Sequence, residues 1–134
     1  DPKIIEKVPN VQEIDFDFTF KLNDEFINNF LKAHNALEKT SEFTLNTSIT
    51  PQGENVVEIV IGERVRHANK IKFTEPAEFE TASDLLPFSA IVIREILSAN
   101  KGSEGTASVS NKGLLKISFN TDESLVEYFV VRQQ

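Results

Sequence analysis

The chain has no cysteine and no methionine, only two histidines, and only five glycines. Without cysteine there is no disulfide, no thiolate metal site and no cysteine nucleophile, which fits a reducing compartment. None of the glycines falls in a GxGxxG or GxxxxGK run, so no loop of the sequence is built to cradle a nucleotide phosphate. No GxSxG elbow is present either. His34 and His67 are too few for a histidine-rich metal site, and neither lies in an HExxH context. No cofactor, no metal and no catalytic residue is expected, and the chain reads as a non-enzyme. Apolar runs such as Ala90–Ile93 fall far short of the ~20 residues that span a bilayer. The opening DPKIIEKVPN lacks the apolar region of a signal peptide. It also lacks an initiator methionine, so the chain reads as a piece of a longer reading frame.

What is present is an ordinary globular composition. The 134 residues suffice for one domain with a core, 40% are hydrophobic and 26% charged. Acidic residues outnumber basic ones 21 to 14, for a formal charge of −7 and a pI near 4.8. The average surface therefore repels nucleic acid, although a local basic face can coexist with an acidic exterior.

Residues 1–14 carry Pro2 and Pro9 without a clean period and read as an extended arm. Asp15–Lys21 then alternates strictly, with Phe16, Phe18 and Phe20 on one face, as a half-buried strand does. Asp15 and Asp17 share the other face and read as solvated carboxylates, not an acid–base pair. Asn23 is a helix cap, and Asp24 and Glu25 suit the first turn. The helix that follows puts Phe26, Ile27, Phe30, Leu31 and Leu37 on its core side and Asn28, Lys32, Asn35 and Lys39 on the opposite side. His34 falls on the apolar side and reads as a satisfied core-edge histidine; His67 lies in a polar turn. Three strands are predicted next, over Glu42–Thr50, Val56–Ile61 and Lys70–Thr74.

The pattern then restarts. Ala77–Leu85 is a plausible strand, and Pro87 sits where a first helical position tolerates it. The helix would run from Phe88 to Ala99 and stop at Asn100-Lys-Gly102. Its core side is Phe88, Val92, Ile93, Ile96 and Leu97; Arg94, Ser98 and Lys101 share the other. Ile91 and Glu95 sit near that second face and suit a phosphate poorly. Three strands follow, over Gly105–Ser110, Leu114–Phe119 and Ser124–Val131. Strand, helix and three strands are thus written twice, in internal repeats at about 15–76 and 77–132. Neither unit could bury its own helix, but two could do so against a shared sheet. The fold class is α+β, with two helices packed on one face of an antiparallel sheet.

The basic residues carry the functional signal. Lys32 and Lys39 on one helix, and Arg94 and Lys101 on the other, stand away from the core with amide and hydroxyl neighbours, and donors of this kind suit phosphates. Arg64, Arg66, Lys70 and Lys72 add charge to one strand–turn–strand segment. Plain solvation of two outer helix faces explains the same residues without any ligand.

The doubled element order resembles one domain of the DNA polymerase sliding clamps. FDFTFKLNDEFINNFL (16–31) resembles the clamp opening, in which a strand runs into an inner helix. NKIKFT (69–74) resembles the edge strand of subunit contact, LPFSAIVIRE (86–95) the second inner helix, and LVEYFVV (125–131) the last strand of clamp C-terminal domains. The nearest resemblance is to the C-terminal domain of clamps of T-even-type tailed phages, where a connector containing Asp-Pro precedes the domain, as DPKIIEKVPNVQEID does here. It covers the chain from Asp1 to about Arg132.

The resemblance implies an interdomain connector over 1–14 and a clamp domain over 15–134. It implies a non-catalytic processivity factor that encircles duplex DNA, without reading bases, and tethers the replicative polymerase. Lys32, Lys39, Arg94 and Lys101 would face DNA, with Asn28, Asn35 and Ser98 beside them. Polymerase and clamp-loader peptides would dock on Ile4, Ile5, Val8, Pro9, Leu114, Tyr128 and Phe129, for which plain core packing is the other reading. Lys70, Ile71, Lys72, Phe73 and Thr74 would form the subunit edge. The intact protein would be a homotrimeric ring in the cytoplasm, that of an infected host if phage-encoded, with no membrane partner. The present stretch would be a monomer or an edge-paired dimer. The rival is a small ligand-binding or enzymatic α+β domain of duplicated units, with polar groups converging on a pocket between helix and sheet.

Overall fold

A computed structural model of the chain describes residues 15–37, 40–62, 70–80, 85–121 and 123–133. The elements run in the order β1 (Phe18–Leu22), α1 (Asp24–Ala36), β2 (Glu42–Ile49), β3 (Asn55–Ile61), β4 (Ile71–Phe79), β5 (Leu86–Ser89), α2 (Ala90–Ala99), β6 (Gly105–Ser110), β7 (Leu114–Asn120) and β8 (Leu125–Val131). Strand–helix–three strands therefore occurs twice, and the class is α+β as predicted.

All strand pairs are antiparallel, in the order β5-β2-β3-β4-β1-β6-β7-β8. The first strand of each unit is exchanged. β1 pairs along its length with β6 of the second unit, while β5 pairs with β2 of the first. Each unit thus completes the other's sheet, which is why the two units cannot separate into independent domains. The ends of the sheet also meet: the Gln133 amide donates to the Pro87 carbonyl at 2.9 Å. That contact is the counterpart of the short β1–β4 pairing of Phe18–Phe20 with Ala77–Phe79.

Between helices and sheet lies a chain of phenyl rings. Phe18, Phe20, Phe26, Phe30, Phe43 and Phe88 follow one another with centroids 5.2–6.4 Å apart. Phe73 packs on Phe26 at 5.6 Å. Val92, Ile93, Ile96 and Leu97 of α2 and Leu115, Ile117 and Phe119 of β7 complete the core. Rings without polar atoms fill this space with nothing left to satisfy, and such pairs add a little beyond their buried area.

α1 starts where predicted. The Asn23 side chain accepts from the Phe26 amide at 2.9 Å, and Phe26, Ile27, Phe30, Ala33 and His34 are buried. The start of the second unit differs from expectation. β4 continues through Pro76 to Phe79, so residues 77–79 belong to it and not to a new strand. Residues 86–89 form β5, and Pro87 and Phe88 are strand, not helix. The helix begins only at Ala90, because the Ser89 hydroxyl accepts from the Val92 amide at 3.2 Å and caps it there. All four residues of β5 are buried, so the alternation that marks a half-exposed strand is missing and an apolar run reads equally as helix.

Candidate nucleic-acid interface

The two helices lie side by side, and their outward residues define one cleft. It has a volume of about 490 Å³ and is lined by Asn28, Leu31, Lys32 and Asn35 of α1 and by Arg94, Ser98 and Lys101 of, or just after, α2. Six of the seven DNA-facing residues named from the sequence thus come together; Lys39 lies outside the described residues. Three cations and no carboxylate stand among the described lining residues, in a chain whose net charge is −7. Ile91 and Glu95 are exposed on α2 but do not line the cleft, which removes the conflict they posed on a helical projection.

Arg94 is not a free surface side chain. Its Nη1 donates to Nδ1 of His34, across the helix pair, at 2.9 Å. The other ring nitrogen, Nε2, lies 2.9 Å from the Thr40 carbonyl oxygen. A carbonyl only accepts, so Nε2 carries the proton and Nδ1 is left as the acceptor that Arg94 needs. His34 is buried and stacked on Phe30, with ring centroids 6.4 Å apart, so its position is set by the core. The core therefore holds one edge of the guanidinium, and its other donors remain for the cleft. The sequence placed His34 among core residues and Arg94 on the open face; it held no signal that the two meet.

The positions assigned to partner peptides are divided. Ile4, Ile5, Val8 and Pro9 lie outside the described residues. Tyr128 turns toward the helices, where the Asn100 amide donates to its hydroxyl at 3.0 Å. Phe129 points to the other face of the sheet, opposite Lys116, and buried Leu114 shares that face opposite Val131. Leu114 and Phe129 thus share a surface that Tyr128 does not.

Lys70 is exposed ahead of β4, and Ile71, Lys72, Phe73 and Thr74 form its first half, paired on one side with β3. On the other side β1 covers only Ala77–Phe79, leaving the edge of Ile71–Thr74 without a strand among the described residues. Lys72 pairs with Glu58 at 3.5 Å on the outer face. Arg64, Arg66 and His67 lie outside the described residues. No helix among the described residues is long and apolar enough to cross a membrane, and no group of three or more metal-ligating side chains occurs among them.

No protein-family model matches the chain, and no curated protein does. Solved structures match closely in shape. A Helicobacter pylori beta clamp in complex with diflunisal superposes over 97% of the chain with a TM-score of 0.62 at 15% identity. The DNA polymerase sliding clamp of Bacillus subtilis gives 0.63 over 97% at 15% identity. The Bartonella birtlesii sliding clamp, DNA polymerase III subunit beta bound to griselimycin, gives 0.58 over 97% at 12% identity. The fold is that of a sliding-clamp domain. The chain spans about a third of the length of these clamps, covering 35% of the first and 34% of the second.

Proposed function

We propose that the chain is one domain of a DNA polymerase sliding clamp, a non-catalytic processivity factor whose ring encloses duplex DNA. The observation that carries this is the cleft between α1 and α2, where Lys32, Arg94 and Lys101 converge with no carboxylate among the described lining residues of a strongly acidic chain. Such a stripe holds phosphates by charge and by short polar donors, without base contacts, and allows movement along the duplex. The acidic remainder limits sticking elsewhere. The rival, a small ligand-binding or enzymatic domain, needs polar groups converging between helix and sheet; that space is filled by Phe18, Phe26, Phe30, Phe43 and Phe88.

Within this reading the chain is an interdomain connector over 1–14 followed by a C-terminal clamp domain of the T-even phage kind. Its polymerase and clamp-loader peptides dock near the connector and Leu114 and Phe129, and a ring of three subunits assembles in the cytoplasm. The free edge at Lys70–Thr74 is the subunit contact. The test is Arg94→Glu combined with Lys32→Glu in the intact protein, assayed for primer extension by the cognate polymerase. Processive synthesis should collapse while the variant remains folded by circular dichroism, with the melting temperature lowered by no more than loss of the Arg94–His34 contact explains. Undiminished processivity in that double variant would sink the proposal.

A further inference from the structure

The second half of β4 is covered by β1, but the two strands then part. β1 carries Lys21 and Leu22 away to pair with Thr106 and Gly105 of β6. A cleft of about 480 Å³ opens at the fork, lined by Phe20, Lys21, Asn23, Glu75, Pro76 and Thr106 among others. Glu75 lies on the inward face of β4 with Phe73 and Ala77 and is only 8% exposed. Among the described residues its carboxylate has no hydrogen-bond or ion-pair partner, although Lys21 lines the same cleft. Burial pushes its pKa up, and the nearby Glu25 adds to the effect. Its oxygens still reach the solvent of the cleft, since no fully buried side-chain oxygen among the described residues lacks a partner. A carboxylate desolvated in part and without a counter-charge costs stability in the isolated domain, and groups perturbed in this way cluster at functional sites.

The chemistry of the missing group follows from the surroundings. Ca²⁺ and Mg²⁺ take six or more oxygen ligands and Zn²⁺ commonly four side-chain or water ligands, and no group of three or more metal-ligating side chains exists among the described residues. Beside Glu75, however, Ile71–Thr74 offers a strand edge with its backbone groups unpaired by any described strand. A polypeptide adding there gains main-chain hydrogen bonds, and its side chain directly or diagonally opposite Glu75 emerges on the same face within reach of a long cation.

We propose that this fork is the seat of a lysine or arginine side chain carried by a partner strand that adds to the free edge of β4, and that Glu75 selects that strand. The inference rests on reading Lys70–Thr74 as a subunit edge, and it narrows that reading. β8 of a second copy of this domain is a poor occupant: Leu125–Val131 contains Glu127 and no basic residue. The Arg132 side chain that follows is packed over Gly113. The occupant is a basic strand from another domain of the assembly.

Two measurements on the intact protein separate the inference from the reading beneath it. Within this chain Thr74→Cys is the sole thiol. With any cysteine elsewhere in the intact protein replaced by serine, it carries a single fluorophore and reports by iodide quenching whether the edge is covered on assembly. Sedimentation then compares assembly of the wild type and of Glu75→Gln. A shielded Thr74 label is expected, with assembly weakened by about tenfold or more in Glu75→Gln, as when one member of a buried charge pair is removed. The isolated subunit should melt no lower than the wild type, an outcome that a carboxylate serving only the fold would not give. A shielded label with unchanged assembly in Glu75→Gln would overturn the seat and leave the edge contact standing. A label that stays open on assembly would overturn both. Tight Mn²⁺ binding by the wild type, lost in Glu75→Gln, would assign the fork to a metal instead.

Discussion

Arg94 on α2 and His34 on α1 meet at 2.9 Å through Nη1 and Nδ1, and the Thr40 carbonyl behind the ring fixes which nitrogen accepts. The contact joins the core to the open cleft: one side of the imidazole is stacked on Phe30, and the other holds a cation that lines the space between the helices. It also joins the two repeats, because each helix contributes one partner.

Replacing His34 by leucine keeps an apolar side chain on Phe30 but removes both hydrogen bonds. The Thr40 carbonyl loses its donor, and Arg94 is released. The expected cost is about 1–3 kcal/mol in urea unfolding. Binding of the intact protein to duplex DNA should weaken while the salt slope stays near the wild-type value, since no charge is lost. A variant as stable and as tight-binding as the wild type would show the contact to be incidental.

Lys32 and Lys101 are exposed cations without an anchor of this kind among the described residues. Each Lys→Ala change should reduce the slope of log K against log salt concentration by about 1 and weaken all DNA sequences alike. Filter-binding or anisotropy titrations across a salt series on unrelated duplexes check both points. A sequence-dependent loss would contradict a phosphate role.

Glu75 gives the chain a stability term that rises toward acid. Its folded pKa lies above the ordinary value of 4.5, by burial first and by Glu25 second. Between 4.5 and the raised value the folded state keeps a proton that the unfolded chain has released, so stability falls as pH rises through that window. Below 4.5 both states are protonated and the penalty vanishes; above the folded pKa it is complete. Glu75→Gln removes the term. The difference in melting temperature, variant minus wild type, should therefore be smallest in acid and grow to a plateau toward neutral pH. A flat difference across pH 4–8, about the range over which a raised carboxylate titrates, would exclude it.

Phe30 is fully buried and touches Phe26, Phe43 and His34. Phe30→Ala should cost about 3–5 kcal/mol, the sum of lost transfer energy and of a cavity beneath α1. A cost below about 2 kcal/mol would mean that the ring chain can collapse around the gap.

Gly105 opens β6 where a Cβ would come within 2.6 Å of the Ser118 carbonyl oxygen and 2.7 Å of the Phe119 ring. Neither backbone nor a buried ring gives way easily. Gly105→Ala should destabilise by about 1–3 kcal/mol, read from denaturant midpoints.

The sequence by itself determined the elements wherever a local period or cap existed. Alternating phenylalanines gave β1, and Asn23 with the acidic first turn gave α1. Turn residues at Asn111–Gly113 separated β6 from β7, and two amphipathic helices implied a shared sheet. It also placed Asn28, Lys32, Asn35, Arg94, Ser98 and Lys101 on open helix faces, because a 3.6-residue period is a local property. It failed at β5, whose four residues are buried on both sides and so carry no alternation. Only the tertiary structure decided the rest. Exchange of β1 and β5 between units sets the helices side by side, which turns two separate basic faces into one cleft. The same packing brings Arg94 to His34, 60 residues away in the chain. It also parts β4 from β1 and leaves Glu75 at the base of a cleft with no hydrogen-bond or ion-pair partner among the described residues. These relationships depend on which strand pairs with which, a choice made by long-range burial that no local pattern records.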